Sequence, residues 1–571
     1  MSRIPAREVA QARQALEHDL EATAKRIIEL KIRLNQLVPI ARLSSKLLSK
    51  IFMQCITTEI TDTSFNRAVN YNDRWKVTHI CHHLRKVALR CPSLWSQVEI
   101  YGPETEHLNE LLVRSKGASL TVHANIYIPR DQGGVKKVLT EIERIESLQI
   151  SASHTTFANM FSTQPISAPR LKRVILKNPF ASVDETVPFL SECRMPSLQA
   201  VQLYNFPITF THPFFAPTLT HLILVAFDGI HPSPPRLSDL MHMLAGMPLL
   251  QHLEYASELI DDDLALQNIA LVHLRSLELS TNLSRHLPTF VKLLDQLSIP
   301  TTAKALLDLA SLKLIEILPK LTAPVMRVLI GGGRIGSAAT TPPVGFSIQH
   351  QPEDKTCILG FWLSEPIPLH DKHTLRIALP WIPDLSDEIW AFCRSLPLSN
   401  VTACILGCPP KGYEGEIGET SLAEWRNTMG QMKDLTWLRV IGEGGMLFPS
   451  LLEHLIHPEG SNVTGCSKLE TLRMESVQFI SYPNPDSNLY VKELIQVVSK
   501  LPNLKTLEVS QCSHFYETDY MEFFESRVPI IWDHVVRNGI VWMCGKSFTS
   551  DTSSDDSTSD NSETSWDLNS P

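Results

Sequence analysis

His79, Cys81, His82 and His83 are four side chains able to bind a metal ion, crowded into five positions. Imidazole nitrogens and thiolate sulfurs are the usual zinc ligands, and one helix offers two of them to a single ion at a four-residue spacing. Only His79 and His83 stand four apart, and no Cys-x-x-Cys or His-x-x-x-His lies nearby to complete a tetrahedron. No metal site is expected there. GGGRIG at 331–336 follows VMRVLI, which reads as a strand, so the glycines invite a phosphate loop. The Gly-Lys-Ser/Thr ending is missing, and Ser337-Ala-Ala-Thr-Thr-Pro-Pro starts no helix; a flexible loop is the expectation. There is no Gly-x-Ser-x-Gly elbow and no Cys/His pairing of the kind a thiol nucleophile needs. These residues point to a non-enzymatic chain with no cofactor and no metal.

The elements that position these residues belong to a long chain. At 571 residues it exceeds what one compact core can bury, so several domains or an extended array are expected. Formal net charge is -9, but six of the acidic side chains fall in the last 22 residues, which hold no Lys or Arg. The body therefore carries about -3, without the basic footprint of a nucleic-acid binder. No apolar run of membrane-spanning length occurs, and MSRIPAREVAQARQALEHDLEATAKR has no signal-peptide core. Eleven cysteines without regular spacing then point to reduced thiols, in cytoplasm or nucleus. In that compartment the triplets at Asn282, Asn400 and Asn462 are chance matches to a glycosylation site.

Residues 1–38 hold a heptad-patterned helix, from 6 to 38. Val9, Leu16, Thr23, Leu30 and Leu37 fall seven apart, and Arg13, Leu20, Ile27 and Leu34 form the second series. Spacings alternate four and three, the seam of a coiled coil, until Pro39 stops it. Such a helix either dimerises the chain through residues 9–37 or folds back on its own domain. IARLSSKLLSKIFMQCI (40–56) predicts a second helix, capped by Ser44 or Ser45, with Leu47, Leu48, Ile51, Phe52 and Cys55 on one face. Residues 57–74 read as a loop. WKVTHICHHLRKVALRCPSLW (75–95) predicts a third helix up to Pro92, with Val77, Ile80, Cys81, Leu84, Val87, Ala88 and Cys91 as its stripe. A turn at Ser93-Leu94-Trp95 follows.

A phrase then recurs: APRLKRVILKN (168–178), MPSLQAVQLYN (195–205), APTLTHLILVA (216–226), a weaker MPLLQHLEYAS (247–257) and LVHLRSLELST (271–281). It returns as MKDLTWLRVIG (432–442), CSKLETLRMES (466–476) and LPNLKTLEVSQ (501–511), with degenerate copies at 369–381 and 398–409. Each is a turn followed by Leu-x-x-Leu-x-Leu, whose end alternates like a half-buried strand. Units of this kind bury their leucines only against their neighbours, so parallel strands with helices behind them are expected over 101–546. Spacings from 21 to 35 residues leave the repeat number and register open, and leave open whether 284–432 continues the array. The Ser/Asp-rich stretch 547–571 is expected to be disordered; its Ser-Ser-Asp-Asp run suits an acid-directed kinase or a merely solvating tail.

Residues 40–100 resemble an F-box. LSSKLLSKIF is similar to its opening, Leu-Pro-x-Glu-hydrophobic-x-x-x-Ile-Phe, and the 75–95 segment to its closing helix and Pro-x-Leu-Trp turn. With the heptad helix before, RSKGASLTV (114–122) and the leucine-rich units after, the chain resembles the F-box-like proteins of mushroom-forming fungi. Ser45 stands where that family has proline, Lys46 where it has an acid, and Leu84 where it has tryptophan. The resemblance implies an α+β fold, a helical F-box-like module followed by an irregular leucine-rich-repeat α/β solenoid. It implies docking on the Skp-type adaptor of a cullin-RING ubiquitin ligase through Leu43, Leu47, Leu48, Ile51, Phe52, Trp75, Ile80, Leu84, Leu94 and Trp95, with a target protein held on the repeats. Loss of the proline and acid weakens such docking by about 1–2 kcal/mol, the scale of one cap or charged contact. The alternative is a non-catalytic interaction scaffold whose box has become a structural cap.

Overall fold

The computed structural model describes residues 6–56, 72–101, 106–126, 132–160, 167–179, 190–206, 209–226, 234–264, 267–281, 286–300, 302–309, 318–330, 343–351, 356–363, 374–380, 386–407, 427–442, 466–477, 479, 489–526, 529–534, 542–543 and 546–547. The 331–336 glycine loop and the acidic tail beyond 547 lie outside them. The chain divides into two compact units, the first comprising 1–342 with 360–363 and 368–380, the second 343–359 with 364–367 and 381–571.

The first unit begins with helices. α1 (Ala6–Gln36) ends just before a 3-10 turn at Pro39–Arg42, where proline suits the first helical position. α2 (Ser45–Ile56) is capped by Ser44, whose hydroxyl accepts the Leu47 amide at 3.3 Å. The single helix expected over 75–91 is instead two. α3 (Asn72–Ile80) and α4 (His82–Leu89) are separated by Cys81, which is fully extended at φ -158° and ψ 165°. The Thr78 hydroxyl donates to the Trp75 carbonyl at 2.7 Å, a local bond that competes with helix propagation, and α4 restarts with the Arg85 amide on the Cys81 carbonyl. α3 also takes up residues 72–74, which read as loop in the sequence. A 3-10 turn at Pro92–Trp95 leads into β1 (Gln97–Tyr101), α5 (Glu106–Ser115) and β2 (Leu120–Ile126).

From there the chain builds a parallel sheet. α6 (Gln132–Leu139), β3 (Ile145–Ala152), α7 (His154–Met160), β4 (Arg173–Lys177), β5 (Ala200–Tyr204) and β6 (His221–Val225) come first. α8 (Leu237–Ala245), β7 (His252–Ala256), β8 (Ile269–Ala270), β9 (Ser276–Ser280), α9 (Leu287–Gln296), β10 (Leu297–Ser298), β11 (Lys304–Asp308) and α10 (Leu318–Ile330) complete its continuous part. β1 through β7 pair each with the next, β7 pairs β9 and β9 pairs β11, all parallel. The short β8 and β10 pair only with each other.

The recurring phrase explains the regularity. Its first leucine closes a turn in every copy here: Leu171, Leu198, Leu219, Leu250 and Leu274 each donate to the carbonyl three residues back. Its last two apolar positions then stack across the ladder. Val174, Val201, Leu222, Leu253 and Leu277 lie in register and buried, as do Leu176, Leu203, Leu224, Tyr255 and Leu279. Turn and strand are fixed, so the uneven spacings are absorbed by the connections. Helices such as α8 and α9 bury Leu240, Leu244, Phe290 and Leu294. At roughly 1.5–3 kcal/mol per buried side chain, the two rows together contribute about 15–30 kcal/mol to the burial that holds the unit together.

Between 284 and 432 further strands follow: β12 (Gly345–Gln351), β13 (Thr356–Trp362), β14 (Leu375–Pro380) and, after α11 (Ser386–Arg394), β15 (Ala403–Gly407). β14 pairs β11 in the first unit. The second unit runs β12, β15, β16 (Trp437–Ile441), β17 (Thr471–Glu475), β18 (Thr506–Ser510) and β19 (Ile530–Trp532), again all parallel. α12 (Leu489–Val498) and α13 (Glu517–Glu525) separate its last strands. Gly442, Ser476 and Gln511, each directly after a strand, all take positive φ, so the same left-handed step ends successive copies of the phrase. The protein is thus a mixed α/β chain with a helical N-terminal region and extensive parallel sheet.

Candidate functional site

Two surfaces fit the residues that the sequence singles out. The first is the helical module. Its core gathers Leu48 and Phe52 from α2, Val77 from α3, Leu84, Val87 and Ala88 from α4, and Cys91, Leu94 and Trp95 from the turn. Leu111 of α5 joins them, although it lies outside 40–100; the apolar spacing of HLNELL was the signal for it. Trp95 is fully buried and its indole N–H donates to the Ala88 carbonyl at 2.9 Å, which ties the turn to α4. Trp75 packs on it with ring centroids 5.1 Å apart. The Arg114 guanidinium lies over both rings, 5.1 Å from the Trp75 centroid and 4.7 Å from that of Trp95, held by Glu110 at 2.6 Å. The two tryptophans and one cation thus clamp α5 to the module.

This core sorts the ten candidate contact residues. Leu48, Phe52, Leu84, Leu94 and Trp95 are buried inside the module, and Leu43 and Trp75 are half-buried against its core. Leu47, Ile51 and Ile80 face solvent, at 50%, 37% and 64% exposure, whereas Leu48 is at 0%. The wide apolar face of α2 is therefore divided along its length. Leu48 and Phe52 turn inward, and Leu47 and Ile51, one helical turn apart, form an apolar edge outside. Ile80 is expelled because the chain breaks after it; an unbroken helix would have kept it on the stripe with Leu84.

The second surface is the open face of the parallel sheets. In the first unit the strands bury alternate residues and leave the others partly exposed, a polar row not found where helices cover both faces. His221 and His252 stack across β6 and β7 with centroids 4.3 Å apart. Burial pushes both imidazoles below the usual histidine range, with Arg275 adding to the effect on each. Glu254 lies opposite Glu278 on β9. Burial raises both carboxyls, Glu254 further through the charge of Glu278, and Glu278 through that of Asp308. In the second unit the same face carries alternating charges. Arg439 pairs with Glu475 at 2.8 Å, and Arg473 reaches Glu475 at 3.0 Å and Glu508 at 3.5 Å, across β16, β17 and β18. Both faces can hydrogen-bond a polypeptide, and on the first the Thr220 hydroxyl lies 2.9 Å from Nδ1 of His221.

His79 and His83 do not share a helix face, because the break at Cys81 puts them on different helices. Among the described residues no group of three His, Cys, Asp or Glu is placed to hold a metal ion, and no helix is long and apolar enough to cross a membrane. No protein-family model matches the chain, and no curated protein matches it.

Proposed function

We propose that this protein is a substrate-recognition subunit of a cullin-RING ubiquitin ligase of the SCF type. The helical module serves as an F-box-like dock for a Skp-type adaptor, and the leucine-rich-repeat-like parallel sheets hold a target protein. The observation that carries this reading is the division of α2: Leu47 and Ile51 stand in solvent on a helix anchored by Leu48 and Phe52. A docking element needs apolar anchors held rigid and uncovered, since such residues carry most of an interface's energy. Leu47, Ile51 and Ile80 would contact the adaptor; Trp75, Leu84, Leu94 and Trp95 would hold them in place. The chain adds no catalytic group. It raises the target's effective concentration beside the conjugating enzyme, a proximity mechanism that suits the polar, half-open strand faces. Work beside a cullin belongs to the cytoplasm or nucleus.

A second reading, an interaction scaffold without a ligase, draws support from the open seam of α1. Co-purification separates the two. The native chain and a Leu47→Asp/Ile51→Asp variant are expressed with a tag, and bound adaptor and cullin are detected by immunoblotting. Adaptor with the native chain alone supports the receptor; adaptor with neither leaves the scaffold.

A further inference from the structure

The heptad seam of α1 is uncovered along its length. Val9, Leu16, Leu20, Ile27, Leu30, Leu34 and Leu37 are all exposed, Leu20 and Leu34 at 69% and 67%. An isolated amphipathic helix of 31 residues gains little by presenting such a stripe to water, since helical stability in proteins comes mostly from packing that face. The flanking charges say what covers it. Arg13, Leu20, Ile27 and Leu34 are the a positions, and Val9, Leu16, Thr23, Leu30 and Leu37 the d positions. The residues beside the seam are then Glu17 and Lys31 on the e side, and Asp19, Arg26 and Arg33 on the g side. These flanks set orientation in coiled coils.

In a parallel pair of α1 helices, Arg26 would meet Lys31 of the second copy, and neither Glu17 nor Asp19 would meet a basic residue. In an antiparallel pair centred on Lys25, Glu17 meets Lys31 and Asp19 meets Arg33, and each of these contacts is made twice. Leu16 then faces Leu34, Leu20 faces Leu30, and Ile27 faces Thr23. The one like-charge meeting, Arg26 with its own copy, is softened because Glu29 already holds Arg26 at 3.2 Å. We infer that the protein self-associates through an antiparallel α1 coiled coil, the occupant of this seam being a second copy of the chain. The two chains would leave the coil at opposite ends, with the C-terminal ends of their α1 helices about 33 Å apart for an overlap over 14–36. This pairing does not depend on the ubiquitin-ligase reading.

Charge reversal in the full-length chain tests it, with sedimentation velocity as the readout. Glu17, Asp19, Lys31 and Arg33 are all exposed, so substitutions there leave the folded core alone. The native chain is expected to dimerise at micromolar concentration. Glu17→Lys/Asp19→Lys and Lys31→Glu/Arg33→Glu are each expected to weaken self-association by about tenfold or more. Mixing the two variants is expected to restore a 1:1 heterodimer. A monomeric native chain would overturn the proposal. So would a Lys31→Glu/Arg33→Glu chain that dimerises more tightly than the native one, since in a parallel coil the change at Lys31 turns its repulsion by Arg26 into attraction. Dimers indifferent to both variants, or weakened variants that fail to rescue each other, would also overturn it.

Discussion

Leu47 and Leu48 are neighbours of identical chemistry with opposite surroundings, and truncating each to alanine should give very different results. Leu48 is fully buried among Phe52, Leu84 and Trp95 in one core. Its loss removes the transfer energy and leaves a cavity, about 2–5 kcal/mol. Leu47 is half exposed, so its truncation forfeits at most about 1 kcal/mol of burial, and the better helix propensity of alanine returns a few tenths. Hydrogen exchange with mass spectrometry reads this locally, which matters in a chain of two units where one melting temperature is poorly defined. The reporters are the Arg90 and Cys91 amides, bonded to the Val87 and Ala88 carbonyls at 3.1 Å. With tenfold for each 1.4 kcal/mol, Leu48→Ala should speed their exchange by about thirtyfold to a few thousandfold, and Leu47→Ala by no more than about fivefold. Equal acceleration by both variants would refute the division of α2 into an inner and an outer face.

Glu254→Gln should stabilise the protein at pH 7.5 and lose that advantage at pH 3. A carboxyl raised in the folded state loses stability as pH rises through the ordinary 4.5, the cost is complete above the raised value, and it is absent well below 4.5, where both states are protonated. Hydrogen exchange across 252–256 and 276–280, compared between the variant and the native chain at each pH, checks it. In the second unit, a Cβ on Gly407 would lie 2.9 Å from the Gln349 Cα, a backbone atom that cannot swing away. Gly407→Ala should therefore cost about 1–3 kcal/mol, seen as faster exchange across 345–351, and unchanged exchange would argue against the β12–β15 contact. Burial pushes the thiols of Cys357 and Cys466 up to about 12, and those of Cys193 and Cys512 to about 11. Iodoacetamide at pH 8 should leave these four unlabelled in the native chain and react first, among the described cysteines, with the half-buried Cys81.

The strands were the most legible part of the sequence, because each phrase carries its own turn and its own alternation. Every copy, including the degenerate ones at 369–381 and 398–409, places a strand beginning five or six residues after its start. β1 is harder to read because Leu94, whose amide closes a turn on the Cys91 carbonyl, stands four residues before Val98 instead of three, although Val98 and Ile100 alternate as a strand requires. The continuous helix over 75–91 was wrong for a definite reason. The stripe from Val77 to Cys91 has good helical periodicity, and periodicity does not register one extended residue at Cys81. The consequence falls on the candidate site, since that residue decides whether Ile80 is core or surface. Composition could not divide Leu47 from Leu48 either; only the partners supplied by α3, α4 and α5 do so. The Arg114 clamp on Trp75 and Trp95 lies beyond the segment that resembles the F-box, and it needed the fold to bring it there.

The central claim is that the exposed edge of α2 docks a Skp-type adaptor. Its most direct test is a calorimetric titration of purified adaptor into the native chain and into Leu47→Asp/Ile51→Asp, with Arg473→Glu on the second unit's sheet face as a control. The expected result is saturable one-to-one binding by the native chain and the Arg473→Glu control, weakened about a hundredfold or more in the α2 variant. No binding by the native chain, or binding that survives both aspartates, would contradict it.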